Sequence, residues 1–182
     1  MSRTKREAGR PVSKPGDRPS DCVRRLVSGG QTGADRAALD VAIRLGIPYG
    51  GWCPRGGRAE DRPDAPGLLR DYPELRETSS DDASVRTEWN VRDSDATLLL
   101  TGRPDSLTGG SALTRDLATR LGRPFLVASS DEAEAVRTWL RELRDQSPHG
   151  LVLNVAGPRE SKEPGLYDAA CRLLEQVLAP TA

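Results

Sequence analysis

One histidine, His149, stands in the whole chain, inside a Pro/Gly stretch. Neither a Ser-His-Asp triad nor a metal-hydrolase set can be assembled around it. Charge bias is missing as well, because 27 basic side chains balance 27 acidic ones. No general affinity for nucleic acid follows from such a balance. No apolar run is long enough to span a bilayer, and the first residues lack the apolar segment of a signal peptide. A cytoplasmic protein that binds neither membrane nor nucleic acid is expected. Cysteines are few and odd in number, Cys22, Cys53 and Cys171, with no metal-site spacing. Reduced thiols are expected, not a disulfide framework. Cys53 has no histidine nearby, and no metal site is expected there.

Apolar residues are also scarce, at 36%, which is low for a compact domain and suggests that part of the chain does not fold. Met1–Pro19 is the candidate: six basic residues stand against two acidic ones, with Pro and Gly and no apolar period. Residues 1–20 are expected to be a disordered basic tail, and residues 21–182 one ligand-binding domain.

What is present is organised around Cys22–Leu45. A short apolar run ends in Ser28-Gly29-Gly30-Gln31-Thr32-Gly33, and a helical pattern follows at once. Glycines let a backbone approach a ligand closely. The first turn of a helix presents unpaired N–H groups and the positive end of its dipole. Together these make an anion site, most naturally for a phosphate. No Lys follows the last glycine, so the stretch is not a P-loop, and it is not G-x-G-x-x-G either. A tight turn that binds nothing is the plain alternative. Thr32 stands three residues before Asp35, a spacing like that of a capping box.

Further strands are expected at Ile47–Gly50, Leu75–Thr78, Ala96–Leu100, Pro124–Ala128 and Leu151–Val155, with helices between most of them. The fold class is therefore α/β: a doubly wound, mostly parallel sheet of five to six strands. Helices cover both faces, and the expected strand order is 3-2-1-4-5-6. Ligands bind such sheets where the order reverses, at the carboxyl ends of the strands. In that order the crevice lies between the first strand and Ala96–Leu100. The loop after Ala96–Leu100 is a second glycine loop, Thr108-Gly109-Gly110-Ser111, at a helix start; Ser111 could instead be only a cap.

Other polar residues are open to two readings. Arg55, Arg58 and Arg62 suit bidentate recognition of phosphate, or they are a solvated loop paired with Glu60 and Asp61. Glu88 and Asn90 are candidates for the amide-like edge of a heterocycle. Trp89 is read as core more than as a stacking platform, and Tyr49 or Trp52 could stack on a flat ring. Asn154 and Gly157–Lys162 follow a strand expected to lie far from the switch point. They are read as serving the rim or a neighbouring subunit.

Several ordered blocks resemble one family. They are SGGQTGADRAALD (Ser28–Asp40), GIPYGGWCPRGGRAED (Gly46–Asp61), LRET (Leu75–Thr78), RTEWNVRDSDATLLL (Arg86–Leu100), LTGGSALT (Leu107–Thr114) and LNVAGPRESKEPGLYDAA (Leu153–Ala170). They are similar to the molybdenum carrier family, whose best-known members are molybdenum cofactor carrier proteins. The resemblance implies a Rossmann-like subunit that assembles as a homo-oligomer, a dimer or tetramer. It also implies binding of molybdenum cofactor, a pyranopterin with a terminal phosphate and a dithiolene-held molybdenum. Carried over by position, the binding blocks are Gly29–Asp35, Arg55–Arg58 and Thr108–Ser111. The wider Rossmann-like group includes cytokinin-activating phosphoribohydrolases, but Thr108–Ser111 lacks their PGGxGTxxE pattern and its glutamate.

The expectation is a non-catalytic carrier or store of molybdenum cofactor, exchanging it with molybdoenzymes or cofactor-synthesis proteins. Its binding residues would be Gly29, Gly30, Gln31, Thr32, Gly33, Asp35, Arg55, Arg58, Glu88, Asn90, Thr108, Gly109, Gly110 and Ser111, with no catalytic set. The alternative is a nucleotide-binding or nucleotide-hydrolysing, phosphoribohydrolase-like protein in which Asp35, Glu88 or Asp93 supplies a carboxylate.

Overall fold

The structure, a computed structural model, describes residues 22–147 and 149–180. The expectation of a tail over residues 1–20 lies outside them. Strands and helices alternate: β1 (Val23–Val27), α1 (Ala34–Leu45), β2 (Tyr49–Cys53), β3 (Leu75–Glu77), α2 (Ala83–Arg92), β4 (Ala96–Leu100), α3 (Gly109–Arg120), β5 (Phe125–Ala128), α4 (Ala133–Arg144), β6 (Leu151–Ala156) and α5 (Leu166–Leu178). All six strands pair in parallel in one sheet. The fold is Rossmann-like α/β.

The strand order is β3-β2-β1-β6-β4-β5, not 3-2-1-4-5-6. The last strand is central, hydrogen-bonded to β1 on one side and β4 on the other. Composition explains why. Every residue of β6 is buried, and only Asn154 among them is polar. A run this apolar is suited to cover on both faces and costs solubility at an edge. The edge goes instead to the shorter, half-exposed β5. Asn154 reaches across to β4, its Nδ2 donating to Thr97 Oγ1 at 3.3 Å.

The main core lies between the sheet and one helical layer, with α1, α4 and α5 contributing Ala37, Val41, Val136, Leu140, Leu173 and Leu174. On the other face a smaller cluster joins Val91 of α2 to Leu117 and Ala118 of α3. A third cluster gathers Leu39, Cys53, Ala59, Leu68, Tyr72 and Leu75. The long Gly51–Pro73 stretch is therefore built, through two 3₁₀ turns and an apolar seat of its own. β2 runs later than expected, through Cys53. Helix α1 ends as expected, with Gly46 in the left-handed region donating to the carbonyls of Ala42 and Ile43.

Arg36 ties the long stretch to the first glycine loop. Its Nε donates to the Gly30 carbonyl at 3.1 Å, and its two Nη atoms hold Asp61 at 3.0 and 2.9 Å. The arginine side chain is 9% exposed, so an unpaired carbonyl would be left behind if it were removed. Arg36→Ala is expected to cost roughly 1–3 kcal/mol of stability in a urea titration. The Arg36 hydrogen bonds hold the Asp61 carboxyl below the usual range, against the partial burial that raises it. A depressed folded value means stability that is present above the ordinary carboxylate range and lost as pH falls through the lowered value. Asp61→Asn should therefore flatten the acid limb of the stability profile.

A candidate anion-binding crevice

A cavity of about 580 Å³ opens over the carboxyl ends of the central strands. The loops after β4 and β6, the first turns of α2 and α3, and Gln31 from the loop after β1 line it. The order reverses at β6, and open α/β sheets in general bind ligands at such a point.

The second glycine loop supplies the donors. Thr108 is extended and makes no side-chain cap to α3. Gly109 lies at φ +54°, a region that glycine enters without a Cβ penalty. The N–H groups of Gly109, Gly110 and Ser111 form the unpaired first turn of a twelve-residue helix. Ideal Cβ atoms on Gly109 or Gly110 would meet nothing within 4 Å, so that side of the helix end is open. Around it stand Arg86, Arg103, Arg159 and Lys162, against one carboxylate, Glu163. Glu163 is already engaged: Thr101 Oγ1 donates to Oε1 at 2.7 Å and the Gly102 N–H to Oε2 at 2.8 Å. Arg103, Arg159 and Lys162 form no ion pair among the described residues. The crevice carries net positive charge beside the positive end of a helix dipole.

The first glycine loop is used differently. Only Gln31 lines the crevice, and its Oε1 accepts from the N–H of Thr32 and of Glu60. Gly29 lies beneath Arg86, whose Nη1 would be 2.1 Å from an added Cβ. Gly30 faces Leu39, Leu68 and Leu75. Gly33, not Thr32, caps α1, and its missing Cβ makes way for the Pro158 carbonyl, 2.5 Å from where the Cβ would sit. The capping-box expectation is thus corrected. Thr32 Oγ1 accepts from the Glu160 N–H at 3.1 Å and is hydrogen-bonded to Glu60. It lines a different cavity, beside Arg36 and Asp40.

Asp35 sits in the first turn of α1 with 1% exposure. One of its oxygens faces Arg86 Nη1 at 3.0 Å, and the other accepts from the Gly157 N–H at 3.2 Å. Burial pushes its carboxyl above the usual range, opposed by Arg86 and the Gly157 N–H. This internal carboxylate takes a place at the head of α1, and it aims Arg86 across Gly29 into the crevice.

The remaining expected residues lie apart from the crevice lining. Arg55 pairs with Asp81 at 2.8 Å, and Arg58 lies 4.0 Å from the same carboxylate. Glu88 pairs with Arg120 on the surface. Asn90 is buried and clamps the Trp52 backbone, accepting from its N–H at 2.7 Å and donating to its carbonyl at 2.9 Å. Trp52 and Trp89 pack edge to face at 4.7 Å; neither they nor Tyr49 line the cavity. Asp93 is held by Arg92 and the Trp52 indole. Cys53 is buried, and burial pushes its thiol up to about 11. No group of three or more His, Cys, Asp or Glu among the described residues is placed to hold a metal. No helix there is long and apolar enough to cross a membrane.

Gly157–Lys162 corrects the sequence reading most. These residues follow a strand expected at the edge, and the central position of β6 puts Gly157, Pro158, Arg159 and Lys162 in the crevice wall. Arg86 and Arg103 went unmarked as candidates because nothing in their local pattern separates them from other surface arginines. The usable signal was the apolarity of Leu151–Ala156, which argues for a central strand and hence a loop at the ligand end.

Comparison with known proteins agrees with this architecture. Residues 26–178 match the model of the circularly permutated YpsA SLOG family. In this chain the strand at the middle of the sheet, β6, comes last in the sequence. A search of curated proteins gives no match. Among solved structures, a protein described as "Putative molybdenum carrier protein", from Syntrophus aciditrophicus SB, is 45% identical with a TM-score of 0.76. The match covers 87% of this chain and 97% of that one. An identity this high over a shared topology, together with a family match across the sheet and its helices, shows that the chain belongs to the circularly permutated YpsA SLOG family.

Proposed function

We propose that the crevice binds an anionic small molecule, that this molecule is the molybdenum cofactor, and that the protein stores, shields or delivers it without transforming it. The observation that carries this reading is the uncapped α3 N-terminus ringed by four cationic side chains and one engaged carboxylate. A phosphate suits the amides of Gly109, Gly110 and Ser111. Arg103, Arg159 and Lys162 supply charge for the rest of an anionic ligand, with Arg86 held ready by Asp35. A volume of about 580 Å³ falls in the range of pockets that enclose small molecules. The molybdenum of this cargo keeps its own dithiolene sulfurs, so no thiolate from the protein is required. The description of the solved relative supports a carrier role. Homo-oligomer formation and exchange with molybdoenzymes or cofactor-synthesis proteins belong to the same proposal.

A phosphorylated nucleotide would suit the amides almost as well. For hydrolysis a carboxylate must reach the ribose, and Asp35, Glu88 and Asp93 are all tied elsewhere. Titrating the purified protein with molybdenum cofactor and with nucleoside monophosphates separates the readings. Micromolar binding of the cofactor is expected; clear binding of a nucleotide with none of the cofactor would overturn the proposal, and release of free base would turn it into an enzyme. Gly110→Val is expected to weaken cofactor binding at least tenfold with an unchanged urea midpoint, because its Cβ enters open space. Equal binding by variant and parent would remove α3 from the site.

A further inference from the structure

On the sheet face that carries α2, away from the crevice, Arg25 of β1 lies flat across β2. An added Cβ on Gly50 would stand 2.1 Å from its Nη2 and 3.2 Å from its Nε, so glycine at that position makes the room. The Arg25 side chain makes no hydrogen bond and no ion pair among the described residues, and its Nε is buried without a partner. A guanidinium offers five N–H donors in a fixed fork, and leaving a buried one unmade is costly. The arginine lines a cavity of about 140 Å³ with Val27, Gly51, Trp52, Arg76 and Asp93. Arg76 lies over the Trp52 ring at 5.9 Å and likewise has no carboxylate partner among the described residues. Asp93, the one acid there, is spoken for: Arg92 binds it at 2.6 and 2.9 Å, and the Trp52 indole N–H donates to it at 2.8 Å. The cavity thus joins two uncompensated guanidinium groups to a carboxylate that is already neutralised.

We propose that this cavity is a second anion site, distinct from the crevice, and that it takes one small tetrahedral oxyanion of the phosphate type. The Arg25 fork binds two oxygens of the anion side by side, Arg76 adds the second charge, and Trp52 forms the wall. The inference does not depend on the identity of the crevice ligand. A carboxylate from a neighbouring copy would offer Arg25 the same acceptor, so the test must tell the two sources apart.

The test is titration of the full-length protein with inorganic phosphate at constant ionic strength, read by tryptophan fluorescence. Two of the three tryptophans, Trp52 and Trp89, touch one another at this patch. A saturable change is expected in the parent. Arg25→Ala should weaken it at least tenfold, and so should Arg25→Lys, which keeps the charge and loses the fork. Gly50→Ala should weaken it by crowding the guanidinium. The double variant Arg159→Glu, Lys162→Glu should respond as the parent does. No saturable change in the parent would overturn the proposal, as would an undiminished response in a folded Arg25→Ala variant or a response lost with the crevice variant. Sedimentation closes the last route: if Arg25→Ala dissociates an oligomer that phosphate does not affect, Arg25 answers to a neighbouring carboxylate and the anion site is refuted.

Discussion

Reversing two charges in the crevice, Arg159→Glu with Lys162→Glu, is expected to weaken binding of molybdenum cofactor by at least about a hundredfold. Each charge-assisted contact is worth roughly 1.5–3 kcal/mol, and each factor of ten in affinity corresponds to about 1.4 kcal/mol. Losing two such contacts therefore reaches or exceeds a hundredfold, before the repulsion from two new carboxylates is added. Stability should change little, because both side chains are exposed and neither forms an ion pair among the described residues. Titration calorimetry beside a urea melt reads both quantities. A doubly reversed protein that binds as the parent does would move the ligand out of this crevice. The effect should also shrink as salt is added, since exposed charges are screened over about 10 Å at 0.1 M.

Gly157→Val is expected to remove roughly 3 kcal/mol of stability or more, the upper end of what overpacking costs and a large share of a domain's total. The cause is contact and not backbone strain, since Gly157 is absent from the positive-φ glycines. A Cβ there would stand 2.3 Å from the Leu100 carbonyl and 2.8 Å from the Ala34 Cβ. Both neighbours are fixed, one at the end of central strand β4 and the other in the first turn of α1. The Gly157 N–H also serves Asp35 at 3.2 Å, so any retreat of the loop strips a buried carboxylate of a donor. Gly102→Ala is the control, because its Cβ would meet only Glu163 Oε2, at 3.6 Å. If both variants melt together near the parent value, the close packing of the β6 loop on β4 is not as described.

These two expectations mark how far the sequence could be read. The second glycine loop was legible as a helix start with an open first turn, because Thr108-Gly109-Gly110-Ser111 offers neither bulk nor a cap. The first loop was legible as a strand–turn–helix but not in its use. Gly30 and Gly33 exist to admit Leu68, Leu75 and the Pro158 carbonyl, and those neighbours lie 38 or more positions further along the chain. Asp35 could be seen beside the glycines; that it would be buried and would point Arg86 into the crevice depends on the arrival of α2. Arg55 and Arg58 matched a phosphate-binding composition, and the fold instead sets them beside Asp81.

The sequence by itself determined the alternation of apolar strands and amphipathic helices, and with it the parallel α/β fold. Both are local consequences of side-chain period and of glycine turns. Only the tertiary structure decided that the last strand enters the middle of the sheet, and this insertion brings Arg159 and Lys162 to the open end of α3. Strand order is a choice among pairings between distant segments. It is settled by which run can be buried on both faces, and no window of neighbouring residues carries that comparison.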